Sequence, residues 1–189
     1  MRQLIEELLA LAKVEAGRIE LHPVPLQLAD LATGLQRAFS TSLDSKGLVL
    51  QVDVSECPTV ESDHAKVRQV LYNFLANAIK YAPESGTLHL KTHLVDSGSV
   101  EISVIDHGPG VPEDLRQVIF EKFRQGDSGL ARGHGGTGLG LAIARQFSEI
   151  LRGSVRCDAT PGGGATFVLR LPLVWPRESG RPLLPEADD

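Results

Sequence analysis

The chain has 189 residues, 42% of them hydrophobic and 23% charged, with a formal net charge of −5 and a pI near 5.7. That length and balance suit one globular domain with short appendages. The acidic charge lacks the basic footprint of nucleic-acid recognition, and no apolar run approaches the ~18 residues of a membrane span, so contact with nucleic acid or membrane is not expected.

Residues 1–17 carry Leu4, Leu8 and Leu11 at helical spacing, with Gly17 as a stop, and have no signal-peptide layout. Two prolines in "LHPVPL" (21–26) then separate this helix from the rest of the chain. A second helix is expected over about 26–46 and a strand over 47–54. Asp63 is placed to N-cap a third helix running to Tyr81. "TLHLKTHLV" and "SVEISVID" alternate around "DSGS", which predicts a hairpin with His89 and His93 on its solvent face. A short helix is expected before Phe123, and residues 124–136 read as a mobile loop. A fourth helix over about 137–151 precedes two closing strands, and the chain from Trp175 reads as a tail. Cys57 and Cys157 form no C-x-x-C pair and fit two idle thiols in a reducing cytoplasm.

The stretch "GHGGTGLGLAIA" (133–144) matches G-x-G-x-x-G, but a dinucleotide turn needs a strand immediately before it. A polar, glycine-rich loop stands there instead, and Leu139 occupies the place a P-loop lysine would need. What survives is the underlying physics: backbone N–H groups at a helix start attract phosphate. In "QVLYNFLANAIKYAP" (69–83), Asn73, Asn77 and Lys80 recur at i, i+4 and i+7 on one stripe, while Val67, Leu71, Phe74 and Ala78 form another that faces the core. An amide oxygen is a hard, neutral ligand suited to Mg2+, and a nearby lysine can meet phosphate as a point charge. Two amides bonded locally would leave the same pattern. "VIDHGPG" (104–110) ends a strand with Asp106, and Gly108 and Gly110 would let a planar base lie near the backbone; a plain Asp-Gly turn is the alternative. Phe120 and Phe123 are expected to pack and to anchor the base of the loop.

Taken in order, Asn73/Asn77, Asp106-x-Gly108-x-Gly110, Phe120-x-x-Phe123 and residues 136–141 (GTGLGL) resemble the N, G1, F and G2 boxes of the catalytic and ATP-binding domain of sensor histidine kinases. The resemblance covers roughly residues 25–172, and "LIEELLALAKVEAGRIEL" looks like the end of a dimerization helix. It implies an α/β two-layer sandwich: a mixed, largely antiparallel sheet covered on one face by helices, with a mobile ATP lid over residues 124–136. The implied organisation is the end of a dimerization helix over 1–21, the catalytic and ATP-binding domain over 22–174, and a tail or linker over 175–189.

The resemblance also implies roles. Asp106 would hold the adenine amino group, with Gly108 and Gly110 beside it, and Tyr81 would line the base pocket. Asn77 would coordinate Mg2+, and Lys80 would touch phosphate. Phe123, Gly136, Thr137, Gly138, Leu139 and Gly140 would complete the nucleotide contacts. Arg124, Arg132 and His134 are alternatives for the cation that meets the γ-phosphate. Asn73 stands where water-activating relatives carry a Glu, and a neutral amide is no general base. Asn73, Lys80 and Arg124 thus form the implied catalytic set of a kinase using ATP and Mg2+.

No histidine of the chain sits in the family's acceptor box, so the chain is expected to be part of a longer kinase. Its partners would be a dimerization and phosphoacceptor domain of the same protein and the receiver domain of a response regulator. A non-catalytic nucleotide-binding module and an ATP-hydrolysing relative are the competing readings.

Overall fold

The computed structural model describes residues 8, 9, 11, 12, 14, 16, 19–54, 59–96, 98–124 and 137–176. Residues 8, 9, 11, 12 and 14 are helical and Leu11 is buried; the remainder of the first expected helix, Cys57, residues 125–136 and the tail beyond 176 lie outside the described residues.

Strand β1 (Val24–Leu26) is followed by helix α1 (Leu28–Lys46). Leu28, Leu31, Ala32, Leu35, Phe39 and Leu43 recur every three or four residues and bury one face of α1. The helix ends in a Schellman pattern: Gly47 N donates to Asp44 O at 3.1 Å and Leu48 N to Leu43 O at 2.9 Å. Strands β2 (Val49–Asp53) and β3 (Val60–Ser62) lead to helix α2 (His64–Tyr81). Asp63 caps α2 as expected, its Oδ1 accepting from Lys66 N at 3.0 Å. Val67, Leu71, Phe74 and Ala78 are at most 1% exposed, so the core stripe read from the sequence is the buried one. The residue before Pro83 takes an extended ψ of 143°, and the helix stops there.

Strands β4 (Thr87–Asp96), β5 (Ser99–Ile105), β6 (Ser154–Ala159) and β7 (Ala165–Pro172) join β2 in a five-stranded sheet of order β2-β4-β5-β7-β6. The β2–β4 pair is parallel and every other pair antiparallel, which makes the sheet mixed and largely antiparallel as expected. Register puts Leu88, Leu90, Val100, Ile102, Val104, Phe167, Leu169 and Leu171 on one face, all buried beneath α1, α2 and helix α3 (Gly140–Ile150). Lys91, His93, Glu101 and Arg156 alternate onto the other face, where Arg156 meets Glu101 through two bonds of 2.6 and 2.8 Å.

Two local expectations are corrected, and one strand is added. The short helix before Phe123 is two 3-10 turns, Glu113–Leu115 and Val118–Phe120. Phe120 is the one buried residue across both turns, so no continuous apolar stripe exists to hold an α-helix. The last helix starts at Gly140, three residues later than expected, because Gly138 bends the chain at φ +71° just before it. The proline-broken stretch 21–26 contains β1, which pairs antiparallel with β3, Pro25 opposite Glu61. Proline is tolerated in such a two-stranded edge ladder. No helix among the described residues is long and apolar enough to cross a membrane.

Asp63 also accepts His22 N on Oδ2 at 3.0 Å, tying the segment before β1 to the start of α2. Burial alone would raise the pKa of this carboxyl, but the bonds from His22 and Lys66 and the charge of Lys66 outweigh it and hold the pKa below its ordinary value. The ionised group therefore stabilises the fold above its unfolded pKa, and that contribution disappears as pH falls through the lower folded value. Asp63→Ala is expected to cost about 1–2 kcal/mol at pH 7 in urea denaturation. The difference from the parent chain should close below about pH 4.

Candidate functional site

The site lies where the end of β5, the C-terminal half of α2 and the start of α3 converge on one face of the sheet. At its floor is Asp106, the first residue after β5, 3% exposed. Its Oδ1 accepts two backbone bonds, from Gly108 N at 2.8 Å and Ala165 N at 3.1 Å. Asp106 N in turn donates to Ala165 O at 2.9 Å. Neither bond takes Oδ2, which leaves that oxygen to accept from a ligand donor. Burial pushes the pKa of this carboxyl up, against the opposing pull of the two backbone bonds and His107.

Glycine is needed around this carboxylate because backbone crowds it. A Cβ on Gly108 would lie 2.6 Å from Tyr81 O, and one on Gly164 would lie 2.0 Å from Asp106 O. Both contacts are shorter than any side chain tolerates. Gly164 belongs to the turn between β6 and β7. Gly110 is also in contact range of that turn, 2.9 Å from Gly164 O by the same measure. Ala165 shares the helix-covered face with Phe167, and Thr166 points to the other face, where its hydroxyl meets Thr160 Oγ1 at 2.9 Å. His107 is exposed, as expected, with its ring beside Gly163 O and His89.

The asparagine stripe of α2 divides into two jobs. Asn73 is 7% exposed, and its Nδ2 donates to Gly140 O at 2.8 Å, joining α2 to the first residue of α3. Asn77 is half-buried, and its Nδ2 donates to Asn73 O at 3.1 Å. Both partners are carbonyls, so each amide must present its NH2 to them. Asn77 Oδ1 is thereby turned away from its own helix and remains able to ligate a hard cation. Lys80 lies with Nζ 4.7 Å from the centroid of the Tyr81 ring. Tyr81 is 43% exposed, so the ring is accessible at the mouth of the site.

The two ends of the expected lid meet. Phe123 N donates to Gly138 O at 3.0 Å, and a Cβ on Gly138 would crowd Phe123 and Arg124 backbone at 3.1 Å. Gly138 adopts φ +71°, a conformation that side chains rarely take. Thr137 Oγ1 accepts from Leu139 N at 3.2 Å, and Leu139 is fully buried under α3. The anchoring expected of both phenylalanines falls to Phe120, which is 5% exposed; the Phe123 ring is 63% exposed. Arg124 pairs with Glu121 at 3.1 Å on the surface. Arg132, His134 and Gly136 lie outside the described residues, as do the central residues of the expected lid.

Among the described residues no cluster of three His, Cys, Asp or Glu side chains could hold a metal unaided. Asn77 Oδ1 would therefore act with oxygens of a bound phosphate, a donor set suited to Mg2+. The arrangement as a whole offers a buried acceptor, an aromatic ring, an amide oxygen, a lysine and a helix start. These are complementary in order to a base, a metal ion and a phosphate chain.

Comparison with known proteins identifies the family. The family described as histidine kinase-, DNA gyrase B- and HSP90-like ATPase matches residues 62–174, more than half of the chain. The chain is 33% identical over 172 residues to the sensor histidine kinase TmoS of Ectopseudomonas mendocina, covering 91% of this chain and 18% of TmoS. It is 31% identical over 196 residues to the autoinducer 2 sensor kinase/phosphatase LuxQ of Vibrio harveyi, covering 97% of this chain and 23% of LuxQ. The chain thus spans about a fifth of the length of these relatives. Among solved structures it is similar to full-length ShkA in complex with AMPPNP, at 35% identity and a TM-score of 0.80 over 89% of this chain and 35% of ShkA. The chain belongs to the histidine kinase-, DNA gyrase B- and HSP90-like ATPase family, and its domain is the ATP-binding domain of sensor histidine kinases.

Proposed function

We propose that this chain binds ATP with Mg2+ and presents its γ-phosphoryl to a histidine outside these 189 residues. The observation that carries the reading is Asp106. A carboxylate fixed by two backbone bonds through one oxygen, with the other uncommitted, is built to accept from an exocyclic amine. Tyr81 flanks the base, and Lys80 and the first backbone N–H groups of α3 meet the phosphates. Mg2+, held through Asn77 Oδ1, would neutralise phosphate charge. Arg124, at the near end of the lid, or Arg132 or His134 within it would supply the cation for the γ-phosphate.

In the transfer itself an imidazole nitrogen bonds to the γ-phosphorus as the bond to the bridging oxygen breaks, and ADP departs. Asn73 contributes position rather than proton transfer, because its amide is bound to Gly140 O and has no basic lone pair to offer. With no carboxylate at that place, hydrolysis lacks a base and ATP is kept for the histidine. The same reading gives the chain a dimerization and phosphoacceptor domain and a response regulator receiver domain as partners, in the cytoplasm.

Calorimetric titration with AMPPNP tests the reading. The parent chain is expected to bind, and more tightly with Mg2+. Asp106→Asn should weaken binding at least about tenfold, since an NH2 would replace the acceptor facing the base. Absence of binding by the parent chain, or equal binding by Asp106→Asn, would overturn the assignment. Asn77→Ala should bind AMPPNP without the gain from Mg2+.

Asp106→Asn should also change stability in the opposite sense to binding. Its carbonyl can keep both backbone bonds, while the cost of a buried negative charge is removed. A carboxyl with a raised folded pKa loses stability as pH rises through that value. The unliganded variant is therefore expected to melt no lower than the parent at pH 7. Any advantage should shrink as pH falls towards about 4, where the parent carboxyl is protonated in both states.

A further inference from the structure

We propose that Lys46, the last residue of α1, is a positioning residue for the nucleotide site, acting through the end of α2 without touching the ligand. The proposal rests on the nucleotide reading above. A helix leaves its final carbonyls without intrahelical partners. In α2, Ala82 N takes Ala78 O at 2.8 Å. The next two carbonyls go to one ammonium: Lys46 Nζ donates to Ile79 O at 2.7 Å and to Lys80 O at 2.9 Å. A cation at this end also complements the helix dipole.

Lys46 is itself held in place. The Schellman turn at Gly47 fixes the end of α1, Lys46 O accepts from Ser85 N at 3.0 Å, and Val49 N donates to Gly86 O at 3.0 Å. The turn after α2 is thus laced to Lys46 itself and to the first residue of β2. The carbonyl next in line after the two bound ones is Tyr81 O, and this is the atom against which Gly108 lies so closely that a Cβ would sit 2.6 Å away. Gly108 N holds Asp106 Oδ1 at 2.8 Å. The path from Lys46 to the base-binding carboxylate therefore runs through three adjacent carbonyls and one glycine. Two of the side chains that belong to those carbonyls, Lys80 and Tyr81, are themselves site residues.

The path reaches the base end of the site, which ADP and AMPPNP share. The test is titration of the 189-residue chain, Lys46→Met, Lys46→Arg and Lys80→Met with ADP and with AMPPNP at fixed Mg2+. Urea denaturation of each variant sets conditions in which it is folded. Lys46→Met is expected to weaken both nucleotides by the same factor, about tenfold, since a small displacement of a binding group is costly. Lys46→Arg, which can bond the same carbonyls, should recover most of that loss. Lys80→Met should weaken AMPPNP more than ADP.

If Lys46→Met binds both nucleotides as the parent does, however much stability it has lost, Lys46 is merely structural and the assignment is overturned. A loss confined to AMPPNP would overturn it too, by placing Lys46 at the phosphates. Should Lys46→Met not fold, Lys46→Gln replaces it, judged by the same two nucleotides. A parent chain that binds neither nucleotide would fail the nucleotide reading as a whole, whereas a binding parent with an unaffected Lys46 variant fails this assignment alone.

Discussion

A negative charge buried at the end of a strand is the constraint around which this domain is arranged. Asp106 sits almost out of water, where an ionised carboxylate is unfavourable unless donors surround it. Two donors come from different parts of the chain, one from the loop just after it and one from β7 across the sheet. Their convergence demands that backbone approach backbone more closely than a Cβ permits, which accounts for glycine at 108 and 164. Stability is given up at this point so that one oxygen can face a ligand, an exchange often seen where a site is preorganised.

Helix α2 carries the other half of the site, and it is held along its whole length. Asp63 fastens its beginning, Asn73 ties its middle to α3, and the side chain of Lys46 closes its end. Beneath it, Phe74 lies 5.4 Å from Phe167, ring to ring, on the sheet. A helix gripped at three levels and pressed on a rigid sheet has little freedom to slide. That rigidity suits the role proposed for it, holding metal and phosphate in fixed relation.

The parts of this architecture legible from sequence are those written in short spacings. The stripe of Val67, Leu71, Phe74 and Ala78, the cap at Asp63 and the β4–β5 alternation need only a few neighbouring residues to be read. Asn77, Lys80 and Asp106 are singled out as a set because their order along the chain is distinctive. The unread parts depend on contacts far apart in sequence. Asn73 meets Gly140 67 residues on, Ala165 meets Asp106 from 59 residues away, and Lys46 meets α2 across more than 30. Nothing local distinguishes Lys46 from any lysine in the last turn of a helix. Likewise nothing local announces β1, whose Pro25 lies opposite Glu61. The two 3-10 turns show the reverse error, where a helical composition lacked a face to bury.

The small β1–β3 ladder has a mechanical meaning. His22 N is bonded to Asp63, Glu61 N to Leu173 O, and Trp175 N to Glu61 Oε2. The strand at the way into the domain and the segment at the way out are thus fastened to the same few residues, 61–63. Tension applied between residues 22 and 175 would load these bonds first. The knot they form also fixes where α2 begins, because Asp63 is the first anchor of that helix.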